Sequence, residues 1–264
     1  MKKTKLADMT WVEVKELVQE RHPAVIVPIG TNEAQGLHMP MGYDHFVAEA
    51  ISIKAAERCN AVVAPTICYG YSELFKEFPG TLTLQPETLQ NLIYDVTVSL
   101  LRAGFTHIVF MNNHDPNTPI LGFAMQRIRN EFGYIMPAIW PTSLARYFAK
   151  PLFSNADRIL VHGNEPGTSL CMALFPEKVR LDLATETPSL KTFGDIPFDQ
   201  FLTLEHEGQK VQSFTRASDV SETGALGYPD SYDPEIGAQI VESMVNYTAS
   251  FVERYLKTDN NLGV

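Results

Sequence analysis

Apolar residues gather along this chain into two kinds of run. Short stretches rich in β-branched residues recur at "AVIVPIG" (24–30), "AVVAPTI" (61–67), "HIVFMNN" (107–113), "YIMPAIW" (134–140) and "RILVHG" (158–163). Each is almost continuously apolar, the pattern of a strand covered on both faces. Between them, apolar positions return at helical spacing. In "PETLQNLIYDVTVSLLRAG" (86–104), Leu89, Leu92, Ile93, Val96 and Leu100 share one side, Pro86 suits the first turn and Gly104 the stop. "TPILGFAMQRIRNEF" (118–132), "TSLCMALFPEKV" (168–179) and "PEIGAQIVESMVNYTASFVERYL" (234–256) predict further helices. Strands alternating with helices define an α/β protein, a three-layer α/β/α sandwich with a mostly parallel central sheet. Residues 184–233 are turn-rich and weakly periodic; they read as an irregular excursion from a single domain spanning 1–264, serving as a lid or an oligomer contact.

Composition narrows the function. The 264 residues are 45% hydrophobic and carry a formal charge of -10, with no basic face for nucleic acid. The three cysteines, Cys59, Cys68 and Cys171, include no CxxC pair, which fits a reducing cytosol and predicts a cytoplasmic protein. The N-terminal "MKKTKLADMTWVEVKELVQ" is broken by Asp8, Glu13 and Glu16, so it reads as an amphipathic helix rather than a signal peptide or membrane span.

In an open parallel sheet, ligands collect beyond the carboxyl ends of the strands. Three predicted strands run into polar clusters there: "TNEAQGLHMPMGYDH" (31–45), "HDPN" (114–117) and "NEPGTS" (164–169). Glu33, Asp44, His114, His162 and Glu165 are thereby carried toward one rim. Glu33 and Gln35, two apart, point the same way in an extended segment. Two carboxylates and an imidazole suit a divalent ion such as zinc or manganese. Spacing alone leaves a second reading open, in which these are solvated loop residues and Asp44 or Asn32 caps the next helix.

Four motifs in order resemble the creatininase family. "VPIGTNEAQGLHMPMGYD" is similar to its P-x-G-S-x-E-Q-H-G-x-H-L-P-x-x-x-D signature, and "FPGTLTLQPETL" (78–89) to F-P-G-T-x-S-x-x-x-E-T-L. "FMNNHDPN" (110–117) resembles V-N-G-H-G-G-N, and "HGNEPGTSLCMALFPEKV" (162–179) resembles H-A-G-x-x-E-T-S-x-x-L-x-P-x-x-V. The resemblance implies a metal centre with Glu33, Asp44 and His114 as ligands, Asp44 in a bridging position, and His162 as proton shuttle. It also implies a homo-oligomer, a hexamer in the family. The departures are specific. Gln35 stands where the signature has a metal-binding His, Pro116 where creatininase has a Glu, and Gly167 where the fourth motif has a Glu. They leave one ion firmly provided for, zinc or manganese with iron as a third option, weaken the second position, and count against creatinine as substrate. Gln35 is then either a weak ligand or a hydrogen-bond partner that orients one.

The expected activity is metal-dependent hydrolysis of a non-peptide C–N bond in a small cyclic amide, lactam or formamide. His162 and Glu165 are the candidate acid/base residues and Asp115 an added acid beside His114. Trp140 and Tyr71 either wall a substrate pocket or fill core. His38 and His45 read as structural, and His22, His107 and His206 carry no signal. Two rival readings keep the fold: a mononuclear lyase or isomerase, and a small-molecule-binding protein without catalysis.

Overall fold

The computed structural model describes residues 3–154, 160–184, 190–227 and 232–263. Four of the apolar runs form one parallel sheet: β1 (Ala24–Ile29), β2 (Ala61–Val63), β3 (Ile108–Asn112) and β4 (Ala138–Ile139), in the order β2-β1-β3-β4. Alternate side chains leave a strand on opposite faces, so a continuously apolar strand needs cover on both. Ala24, Ile26, Val109 and Met111 pack against α2 (Tyr43–Ala56), α5 (Pro141–Ala149), α6 (Gly167–Leu174) and α8 (Pro234–Tyr255). Val25, Val27, Ile29, Ile108 and Phe110 pack against α1 (Trp11–Arg21), α3 (Pro86–Arg102) and α4 (Thr118–Phe132). The result is the three-layer α/β/α sandwich. Each fully buried aliphatic side chain in it contributes roughly 1.5–3 kcal/mol of transfer free energy.

Helix ends follow the chemistry of the chain. Thr10 and Glu13 form a reciprocal capping box at α1, and Asp233 accepts from Glu235 and Ile236 N–H at the start of α8. Gly133 takes a positive φ of 78° to stop α4.

Two predicted strands are shorter than their apolar runs, and one does not form in its described part. β2 ends at Val63, two residues before Pro65, which has no N–H for the ladder. Only Ala138–Ile139 of 134–140 pairs with β3. Residues 160–163 run as coil and turn: Gly163 takes a φ of 73°, and His162 holds Leu226 N–H through its carbonyl instead of entering the sheet. Residues 158–159 lie outside the described residues.

The region expected to be irregular contains a second sheet. β5 (Thr192–Phe193), β6 (Ile196–Gln200), β7 (Thr203–His206) and β8 (Gln209–Gln212) form an antiparallel meander, followed by the short α7 (Ala217–Val220). The β7–β8 hairpin turns on Glu207 and Gly208, both with positive φ, the conformation that matches strand twist. Phe198, Phe201, Ala217 and Val220 pack with Ala34 and Phe75 in a small third core, which fastens the meander over the loop that follows β1. No helix among the described residues is long and apolar enough to cross a membrane.

Candidate active site

Register brings the polar segments together. Ile29 pairs with Asn112, so β1 and β3 end level and their following loops start side by side. Asn113 N–H extends the ladder to Ile29 O at 3.0 Å, placing His114 next to the chain that carries Glu33. Asp44 arrives from the first turn of α2. Gly30 permits that approach, because a Cβ there would sit 2.3 Å from His45 N and 2.7 Å from the Asp44 carbonyl carbon. Asn117 does not cap α4 with its side chain. Instead it accepts from Tyr71 N–H at 2.8 Å and donates to Gly30 O at 3.2 Å, pinning a third loop to the same rim.

Glu33, Asp44 and His114 meet there, all buried, with one ligand atom from each within 4.8 Å of the others. His114 Nδ1 lies 2.9 Å from Asp44 Oδ2 and 3.5 Å from Glu33 Oε1. The other ring nitrogen, Nε2, contacts Tyr71 O at 2.8 Å. A backbone carbonyl accepts and cannot donate, so Nε2 carries the proton and Nδ1 of the neutral ring presents its lone pair to the cluster. Ser72 Oγ donates to Glu33 Oε2. Gln35 Nε2 donates to Glu33 Oε1 at 3.2 Å and reaches Asp44 Oδ1 at 3.5 Å. Gln35 thus meets both carboxylates through its NH2 group, a contact that orients them.

Crowding two acids into a buried site disturbs every ionisation in it. Burial, together with the Asp44 charge, pushes Glu33 up to about 7 against the pull of His114. Burial raises Asp44 as well. Burial alone would lower His114, but Glu33 and Asp44 override it and raise its pKa to about 9. Without a cation, the cluster holds protons in its place. Asp44 Oδ2 is buried with His114 Nδ1 2.9 Å away, and two lone-pair atoms that close need a proton or a cation between them. Two buried carboxylates and an imidazole with its far nitrogen already satisfied fit a divalent ion such as zinc or manganese.

The cluster forms part of the wall of a cavity of about 290 Å³. His162 also lines it, but from a turn and not a strand. Its Nε2 lies 3.1 Å from Ala34 O, and its ring stacks on Phe75 at 4.6 Å with the edge of Phe201 at 5.5 Å. Burial between these rings lowers its pKa to about 4. Glu165 and Asp115 line the same space. Glu165 Oε2 also accepts from Ser169 N–H at 3.2 Å in the first turn of α6. Tyr71 and Trp140 do not line the cavity. Tyr71 packs into the core under α3 and α4 and offers the site only its backbone, while Trp140 donates from Nε1 to Thr118 Oγ1 at 2.8 Å. His38 is buried against Thr168 at 3.0 Å, and His45 sits in the first turn of α2.

Several lining residues carried no sequence signal. Leu74 and Phe75 fall in an ordinary segment, and Thr142 and Arg146 in an ordinary amphipathic helix. Gln200, Phe201 and Leu202 come from the meander. Asn113 was inside a quoted motif, and its anchoring to Thr142 Oγ1 at 3.0 Å and Asp44 O at 3.2 Å emerges only in three dimensions.

The sequence matches the Creatininase family, described as creatinine amidohydrolase, over residues 7–252. This chain belongs to the creatininase family. It is 29% identical over 214 residues to the creatinine amidohydrolase of Pseudomonas putida, covering 74% of this chain and 80% of that protein. It is 28% identical over 247 residues to the mycofactocin precursor peptide peptidase of Mycolicibacterium smegmatis (strain ATCC 700084 / mc(2)155), covering 91% and 88%. A solved structure described as "Creatininase Mn" shares the fold with a TM-score of 0.79 at 24% identity, over 97% of this chain and 100% of that one. A mutant creatininase of Zn-Zn type superposes with a TM-score of 0.78 at 24% identity, over 98% and 100%. The chain is therefore an enzyme of the creatininase family with a buried acid–imidazole cluster suited to a divalent metal.

Proposed function

We propose that the chain hydrolyses a non-peptide C–N bond in a small cyclic amide, lactam or formamide, using one divalent ion, zinc or manganese, held by Glu33, Asp44 and His114. The observation that carries this reading is the convergence of those three buried side chains on the wall of a cavity of about 290 Å³. The relatives support amide chemistry in general. One is named for creatinine, a cyclic amide, and another for a precursor peptide, so the bond class is shared more firmly than the substrate.

A divalent ion held by Glu33, Asp44 and His114 would supply Lewis acidity, lowering the pKa of water toward neutrality and polarising a carbonyl. The protein's own residues do the rest. Ser72 and Gln35 hold Glu33 in place, and Tyr71 O fixes the His114 tautomer. Phe75 and Phe201 keep water from one side of His162. With its Nε2 proton engaged by Ala34 O, His162 has Nδ1 free to take a proton and pass it to the departing nitrogen. A ring whose pKa is lowered to about 4 holds that proton weakly and releases it readily. Glu165 and Asp115 supply further acidic groups around the substrate. Creatinine is not the proposed substrate, because Pro116 and Gly167 offer no side-chain donor where creatininase has carboxylates.

Elemental analysis of the chain reconstituted with zinc or manganese, followed by a turnover screen of lactams, formamides and cyclic ureas, tests the proposal. One ion per chain and chelator-sensitive release of a carboxylic acid are expected. A protein that retains no ion after reconstitution would overturn it.

A further inference from the structure

Hydrolysis as described has no use for Arg146. Among the described residues lining the cavity it is the one lysine or arginine, in a wall that also carries Glu33, Asp44, Asp115 and Glu165. It stands in the last turn of α5, one helical turn after Thr142, and both residues face the cavity. Thr142 is occupied, donating to Asn113. The Arg146 side chain is half-buried and forms no ion pair or hydrogen bond among the described residues. Its five N–H donors face the cavity and are available to an acceptor bound there.

We infer that Arg146 anchors a carboxylate on the substrate, so that the enzyme acts on small amides bearing one carboxylate away from the scissile bond. The inference rests on the hydrolase reading above and adds the substrate class. A guanidinium forks onto the two oxygens of a carboxylate with matched geometry. One cation balances one negative charge. A phosphate dianion in the same place would carry one negative charge more than Arg146 balances, beside Asp115 and Glu165, which lie outside the metal-binding trio. The small cavity also limits the anchor and the scissile carbonyl to one compact molecule.

The test uses the full zinc-loaded chain and matched pairs of probes. Pyrrolidinone, hydantoin and dihydrouracil rings each carry either a carboxylate or the uncharged carboxamide, and N-formyl amino acids are set against their amides. Binding is measured by calorimetry. In at least one frame the carboxylate member binds at least about tenfold more tightly, the scale of a hydrogen-bonded charge pair. Arg146→Gln brings the two members within about twofold, Arg146→Lys keeps part of the preference, and zinc content is unchanged in both. The inference is overturned if no frame prefers the carboxylate, if Arg146→Gln keeps the preference, or if that variant loses zinc, which would make Arg146 a partner of the metal cluster. A carboxylate preference with no turnover of any probe would leave the anchor standing and count against hydrolysis instead.

Discussion

The two sheets of this protein contribute to one cavity in opposite ways. In the parallel sheet every residue of β1 and β3 is buried, and the reactive groups sit where those strands end. In the antiparallel meander β8 is exposed along its whole length, and only Phe198 of β6 is buried. The first sheet fixes Glu33 and His114 through a register that packing on both faces enforces, since a slip of one residue would turn every side chain to the wrong layer. The second adds Gln200, Phe201 and Leu202 as a cover, tied down by one small core that includes Ala34 and Phe75. The chemistry thus sits on the rigid element and the shape of the pocket depends on the weakly buried one. Substrate choice can then change without disturbing the metal centre.

The comparison breaks first at His114. If the parallel sheet alone carries the chemistry, His114→Ala removes both the bound ion and turnover, the latter by at least about 10³-fold. Metal analysis after dialysis and a rate assay on the same sample check this together. Full metal content in the variant would move the centre elsewhere.

His162 joins the two regions, with Ala34 O on one side and Phe201 of the meander on the other. His162→Ala should lower kcat by about 10²–10⁴-fold while metal content holds. If both fall, His162 serves the ion and the division between the sheets is wrong.

The balance of these two sites explains what could be read from residues alone. Glu33 and His114 are legible as rim residues because they follow apolar strands whose ends converge in a parallel sheet, and the family resemblance adds Asp44, which arrives from the first turn of α2. His162 was placed near the same rim for a reason that does not hold, since its apolar run turns at Gly163 and does not join the sheet in its described part. The meander was invisible because its strands are two to five residues long and mostly polar, as in "TLEH" and "QKVQ". Alternation needs a buried face to write itself into a sequence, and most of this sheet lacks one. Tyr71 and Trp140, which the sequence leaves between pocket wall and core, pack away from the cavity, and Phe75 and Phe201 line it.

Protons sharpen the contrast further. With His114 raised to about 9 and Glu33 to about 7, the metal-free centre binds protons that the unfolded chain, at 6.5 and 4.5, has lost. Stability from Glu33 therefore declines as pH rises from 4.5 to 7, and stability from His114 declines from 6.5 to 9. The metal-free protein should show a falling Tm across that range, and the increase in Tm produced by zinc should grow over the same interval. At pH 7.5 His114 still carries its extra proton, so zinc binding should release about one proton per ion. Calorimetry in buffers of different ionisation enthalpy measures that number. A value near zero would mean that the ion does not displace the proton from His114 Nδ1.

The smallest effect tests the meander itself. Ile26 in β1 is fully buried, and Ile26→Ala should cost about 2–5 kcal/mol of stability, through lost transfer energy and the cavity left behind. Val211 in β8 is 48% exposed, so Val211→Ala should change stability by no more than about 0.5 kcal/mol. Chemical denaturation of both variants at two protein concentrations makes the comparison, because an exposed strand face that is covered by a second copy responds to concentration and a free face does not. A loss above about 1 kcal/mol for Val211→Ala at high concentration only would show that the meander is buried in an assembly. Its apparent weakness would then belong to the isolated chain, and the cover over the cavity would draw its rigidity from a neighbour.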